Sequence, residues 1–234
     1  MTTSQSNEHL RVASNGAYIS RLSNNFDPTR EHLNFEIKSG GVISPVDKAV
    51  SIPRRIREIL ESRGVTDPNR KIIDNGGKPN RRTVANIILG GSREQMHRLA
   101  YGDQQVVLEH GADNSSVTRM PDIENWAMDM YRFMSDRFGE KNIAAFIVHL
   151  DETNPHIHCT LLPITERNKF SWNHYFGGFK QDGREKFIRL HDAISEINAR
   201  YGLERGDSIA ETGAKHRTTE QYHEDRRKQL EKEN

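Results

Sequence analysis

The sequence predicts an α/β (α+β) fold, helices flanking an antiparallel sheet, and three features predict it. Two apolar, partly β-branched runs, Ala145-Phe-Ile-Val148 and Cys159-Thr-Leu-Leu162, are joined across Thr153-Asn-Pro155, which reads as a turn between two hairpin strands. After Pro121, Ile123, Trp126, Met130, Phe133 and Met134 recur at helical spacing until Gly139. Phe187, Leu190, Ile194, Ile197 and Tyr201 mark a second core-facing helix, with Gly202 as its C-cap. Helical and strand segments alternate around hairpin-linked central strands, which points to an antiparallel core sheet.

The remaining elements follow in chain order. Residues 1–15 are polar and read as mobile; 16–21 and His32–Ile37 read as strands. Ser44-Pro45 resembles a helix start and leads into a basic helix that stops at Gly64. Gly76-Gly-Lys-Pro79 is a loop, Arg82–Leu89 a strand, and Ser92-Arg-Glu-Gln95 has capping-box spacing. Val106-Val-Leu108 is a brief strand candidate, and Trp172–Phe179 reads as a loop. From His216 the chain is almost entirely polar, so the sequence divides into a domain over 1–205 and a charged tail or helix over 206–234.

At 234 residues the chain can build one sizeable domain and an appendage. It has no apolar run of membrane-spanning length and no N-terminal signal pattern, so a soluble, cytoplasmic protein is expected. Its one cysteine, Cys159, has no internal partner and reads as core. The net charge of +1 is uninformative, but Ser44–Arg98 holds twelve Lys or Arg against six Asp or Glu. Such a basic segment suits backbone phosphates, although charged runs are often only solvated surface.

Chemistry concentrates in His149-Leu-Asp-Glu-Thr-Asn-Pro-His-Ile-His158. Alternate strand residues share a face, so His156 and His158 point one way and Ile157 into the core; a hairpin partner brings His149 across to the histidine face. Three neutral imidazoles on rigid strands make a divalent-metal site with open positions. A lone His-x-His is weak evidence, but three histidines and Glu152 within ten residues are hard to explain as packing. Pro155 excludes the helical His-Glu-x-x-His arrangement. Glu152 is a fourth ligand or a group that fixes a histidine tautomer, and Asp151, on the other strand face, has a structural role.

This segment resembles the signature of the MobV (Mob/Pre) relaxases, plasmid mobilisation proteins of the HUH endonuclease superfamily. Asp27-Pro-Thr-Arg-Glu-His-Leu-Asn-Phe-Glu36 is similar to that family's early stretch, and Gly202-Leu-Glu-Arg-Gly206 with Ala214-Lys-His-Arg-Thr218 to its closing stretch. The resemblance spans about residues 15 to 222. It implies a five-stranded antiparallel sheet flanked by helices, and metal-dependent nicking and rejoining of one DNA strand at a plasmid transfer origin. It also implies Glu152 as a ligand, manganese or magnesium as the ion, and a homodimer formed through a C-terminal region that is short or missing here.

The family's best-known branch uses a histidine nucleophile in an N-terminal His-Asn-x-Arg stretch, which this sequence lacks. Tyr18-Ile-Ser-Arg21 stands there instead, and other relaxases use an N-terminal tyrosine. Tyr18 is therefore the leading candidate nucleophile, with His9 the alternative. Arg21 and Arg30 are candidate phosphate contacts; Asn34 and Phe35 are candidate nucleotide contacts, Phe35 by stacking. Either aromatic, Tyr18 or Phe35, could equally be core.

Two other functions are compatible with the pattern. A rolling-circle replication initiator would carry Tyr-x-x-Lys after the histidines, and Tyr175, Tyr201 and Tyr222 all lack that lysine. A DNA-binding regulator with a structural metal would be expected to use thiolate ligands, which the motif does not contain.

Overall fold

The computed structural model describes residues 1–13, 26–109 and 111–206, so the strand expected over 16–21 and the tail from 207 onward lie outside the described residues. The fold is that of a unit covering Met1–Glu204. Its first element is unexpected: residues read as mobile form helix α1 (Thr3–Leu10). Thr2 caps it by accepting from the Gln5 amide, while the Gln5 side chain accepts from the Thr2 amide. That reciprocal box satisfies two otherwise orphaned donors. The Thr-x-x-Gln spacing was the available signal.

Asp27 and Pro28 start a 3-10 helix (Pro28–Leu33), so the expected strand over His32–Ile37 is shortened to β1 (Phe35–Lys38). The cause is local: the Asp27 carboxylate accepts from the Thr29 amide at 2.9 Å, and proline is preorganised for the first helical turn. Ser44-Pro45 is not a helix start either. It ends edge strand β2 (Val42–Pro45), a position where proline is tolerated. The basic helix α2 (Ile52–Ser62) begins seven residues later behind Ser51, with Pro53 in its first turn and Gly64 just past its end at φ +62°.

The short helix α3 (Arg70–Asp74) precedes β3 (Ala85–Leu89) and helix α4 (Arg93–Tyr101). The Ser92 hydroxyl reaches the Gln95 side chain and not a backbone amide, so the expected capping box is incomplete. Residues 106–108 form no strand, because the Asn114 side chain takes up both the amide and the carbonyl of Val107. Helix α5 (Pro121–Phe138), strands β4 (Ile143–His149) and β5 (His156–Leu161), short helix α6 (Trp172–Phe176) and helix α7 (Lys180–Ala199) follow among the described residues. Helix α6 replaces an expected loop; Ser171 caps it by accepting from the His174 amide.

The five strands form one antiparallel sheet in the order β2-β1-β4-β5-β3, as the resemblance implied. Alternation gives the sheet two unlike faces. Phe35, Ile37, Phe146, Val148, Ile157, Cys159 and Leu161 pack against the apolar stripes of α4, α5 and α7 in the main core. Trp126, Ile123, Met130 and Met134 are completely buried there, each apolar side chain contributing about 1.5–3 kcal/mol. Phe187, expected in this core, is half-exposed. On the other face, Ala145 and Ile147 pack beneath Leu10 of α1 and Ile52, Ile56 and Ile59 of α2. The candidate metal-binding histidines, His149, His156 and His158, emerge at one end of this second face.

Candidate metal centre

Strand register brings the histidines together. His149 on β4 lies opposite His156 on β5, and His158 lies opposite Ile147 of β4 and Ile88 of β3. Glu152 comes from the connecting turn, held by an isolated bridge to Phe26. One side-chain ligand atom from each of His149, Glu152, His156 and His158 lies within 4.8 Å of the other three.

Backbone carbonyls orient two of the rings. His149 donates from Nε2 to the His9 carbonyl at 2.8 Å, which turns its Nδ1 lone pair toward Glu152 Oε1, 3.5 Å away. His156 donates from Nδ1 to the Asn154 carbonyl at 2.8 Å and leaves Nε2 free. That atom stands 2.8 Å from His158 Nε2, a spacing that suits two adjacent ligands of one ion. Burial first, then the neighbouring histidines, hold His158 well below its ordinary value, and burial likewise lowers His156. Both are neutral at pH 7, the form that coordinates metal. Burial pushes the Glu152 carboxyl up, but the polar surroundings of the His149 and His156 rings and the Arg11 guanidinium outweigh it and hold it below its ordinary value, so Glu152 stays ionised. Three imidazoles and one carboxylate make a donor set that suits a divalent ion.

Helix α1 closes the site from above. His9 packs its ring on His158, centroids 4.0 Å apart, and its buried Nδ1 has no hydrogen-bond partner. Burial, then His149 and Arg11, bring its pKa down to about 4. Arg11, in the left-handed conformation at the helix C-cap, grips the buried Asp151 carboxylate at 2.8 and 2.9 Å. Its Nη2 also donates to Glu152 Oε1 at 2.6 Å and lies 3.2 Å from His149 Nδ1. Burial disfavours the Arg11 charge, yet the Asp151 and Glu152 contacts raise its pKa and keep it protonated. The structural role expected of Asp151 is to anchor this guanidinium.

Tyr18 and Arg21 lie outside the described residues. Three other expected DNA contacts, Arg30, Asn34 and Phe35, are buried. Arg30 is 2% exposed, with its guanidinium committed to Asp27, Tyr101 and the carbonyls of the 150–152 turn. Asn34 is buried, accepting from the Leu150 amide at 2.6 Å and donating to Asp151 at 2.5 Å. Phe35 is buried in the main core under the Arg119 guanidinium, 4.4 Å from its ring centre. None of the three presents a free surface to a nucleotide.

The plasmid recombination enzyme (Mob_Pre) profile matches residues 105–224. The chain belongs to that family. Relatives include a type 1 plasmid recombination enzyme of Staphylococcus aureus, 34% identical over 106 residues, covering 44% of this chain and 25% of the relative. A plasmid recombination enzyme of a Bacillus species is 25% identical over 191 residues, 80% of this chain and 36% of the relative. The chain thus spans well under half the length of these relatives. Among solved structures, a MobM relaxase domain bound to plasmid oriT DNA and manganese superposes with a TM-score of 0.59 at 19% identity. It covers 94% of this chain and 90% of that domain. The likeness is one of fold. Among the described residues, no helix is long and apolar enough to cross a membrane.

Proposed function

We propose that this member of the family is a relaxase that nicks and rejoins one DNA strand at a plasmid transfer origin, using His149, Glu152, His156 and His158 to hold a divalent ion. The observation that carries the reading is the convergence of those four ligand atoms within 4.8 Å at one end of a sheet face. The manganese in the similar MobM relaxase domain supports manganese as the ion, with magnesium the alternative. When bound, the ion would polarise a non-bridging phosphate oxygen and neutralise developing charge.

The residues of the chain would supply the rest. A nucleophile attacks phosphorus as the bond to the 3′ oxygen breaks; the freed 3′ hydroxyl takes up a proton, and the 5′ phosphoryl group stays on the protein. Tyr18 remains the sequence candidate. His9 is supported by its place on His158 and its unpartnered Nδ1. The two differ in product. A phosphotyrosyl bond resists mild acid, whereas a phosphohistidine phosphoramidate is hydrolysed. DNA at the origin is the proposed partner, with the basic segment around α2 contacting phosphates. A cytoplasmic location, a homodimer and the division into 1–205 and 206–234 belong to the same proposal.

Incubating the protein with supercoiled origin plasmid and manganese tests the reading. Nicked circles carrying a covalent protein adduct are expected. A mobility shift without nicking would favour a DNA-binding regulator. The replication-initiator alternative is disfavoured by the two described tyrosines after the histidines: Tyr175 donates to the Ile164 carbonyl and Tyr201 to Asp129, and both pack on the core away from the histidine face.

A further inference from the structure

Of the four candidate ligands, Glu152 alone is carried by a turn and not by a strand. The ladder fixes the histidines. Something else must fix Glu152, because turn backbone aimed inward leaves carbonyls that need partners. Arg30 supplies them. Its Nη1 donates to the Leu150 carbonyl at 2.7 Å, and its Nη2 lies 3.2 Å from the Glu152 carbonyl and 3.5 Å from that of Asp151. Its Nε is tied to Asp27 at 2.8 Å, and the Asp27 amide donates to the Asp151 carbonyl at 2.7 Å. The Tyr101 hydroxyl accepts from Arg30 at 2.6 Å and itself donates to the Leu150 carbonyl. Asn34 accepts from the Leu150 amide at 2.6 Å.

We infer that Arg30, seated on Asp27 and Tyr101, is the positioning residue of the Glu152 turn, and that it sets metal-ligand geometry through the Leu150 and Glu152 carbonyls. The inference rests on the metal-centre reading above. A planar guanidinium is well matched to this role, since its five donors in a fixed fork reach several acceptors at once, which a lysine ammonium cannot do from one point. A supporting contact of this kind typically governs metal affinity by about 10- to 100-fold.

The test is calorimetric titration of the full chain with manganese alone, beside thermal unfolding of the metal-free protein. Arg30→Lys should weaken manganese binding about 10- to 100-fold. Met130→Ala, which opens a cavity in the core on the opposite sheet face, should lower the unfolding temperature while the folded protein keeps wild-type affinity. A folded Arg30→Lys protein with wild-type manganese affinity overturns the inference. Should Arg30→Lys fail to fold, Tyr101→Phe decides on the same readout: it deletes one hydroxyl from the seat, so reduced affinity supports the inference and unchanged affinity overturns it. Absence of manganese binding by the wild-type protein would instead remove the metal-centre reading and this inference with it.

Discussion

The β4–β5 hairpin and the frame around it solve different problems. The hairpin carries all four candidate ligands within ten residues, with strand alternation aiming them. The frame is gathered from distant positions: His9 and Arg11 from α1 and its cap, Arg30 and Asn34 before β1, Tyr101 at the end of α4. Its groups are almost wholly buried, and most of their hydrogen bonds go to backbone or to one carboxylate, Asp151. Changing the hairpin should therefore remove chemistry and spare the fold. Changing the frame should cost stability or geometry first.

The largest effect is expected in the hairpin. His156→Ala and His158→Ala should each lower origin nicking at least about 100-fold, the upper end of what loss of a supporting contact costs a metal centre. Metal-free stability should fall by only about 0.5–1.5 kcal/mol, the worth of a neutral bond such as that from His156 to the Asn154 carbonyl. Plasmid relaxation assays and urea unfolding measure the two quantities. Nicking that survives in both variants would break the assignment of ligands.

Arg11 makes the opposite case. Its side chain is 2% exposed and Asp151 is fully buried, so Arg11→Ala strands a carboxylate without its counter-charge. Breaking such a pair typically costs about 3–5 kcal/mol. Urea unfolding should show that loss, and Arg11→Met combined with Asp151→Leu should recover much of it by removing both charges. A cost below about 1 kcal/mol for the single variant would mean the frame is not held by this pair.

The two regions also differed in how far they could be read in advance. The hairpin was legible because its information is local: apolar strands, a turn proline and histidines at strand spacing. The frame was not, because Arg30, Asn34 and Phe35 are polar or aromatic residues in a short irregular segment, equally suited to DNA or to burial. Only the pairing of β1 with β4, which places Asn34 beside Leu150, decides between those uses. Helix α1 was missed for a different reason. Its residues are polar on most faces, and only Ser6, His9 and Leu10 are buried, so no apolar stripe announced it; the Thr2–Gln5 capping spacing did.

A smaller effect, in stability against pH, separates His9 from the rest of the frame. Its pKa falls from 6.5 to about 4 on folding, chiefly through burial. Between those values the unfolded chain binds more protons than the folded one, so stability rises with pH. Its contribution is complete above pH 6.5 and is lost as pH falls toward 4, by at most on the order of 3 kcal/mol. His9→Gln should flatten the dependence of metal-free stability over that window relative to wild type. Parallel curves would show that His9 is already charged, or already solvated, in the folded protein.

The smallest expected effect locates the edge of the frame. His97 on α4 lies at the far end of the same turn, its Nε2 2.9 Å from the Thr153 carbonyl. Burial lowers its pKa, so at pH 7 it is a neutral donor and the bond carries no charge assistance. Such a bond contributes about 0.5–1.5 kcal/mol net, and His97→Ala should cost about that much in unfolding free energy. Thr153 is one residue beyond Glu152, and the Glu152 carbonyl is already held by Arg30, so manganese affinity should change less than about threefold by titration calorimetry. A tenfold or greater loss of affinity in a variant of near wild-type stability would extend the frame past Glu152 to α4. The boundary between holding the fold and holding the ligands would then lie at Asn154, whose side chain donates to the Gly91 carbonyl at 3.1 Å.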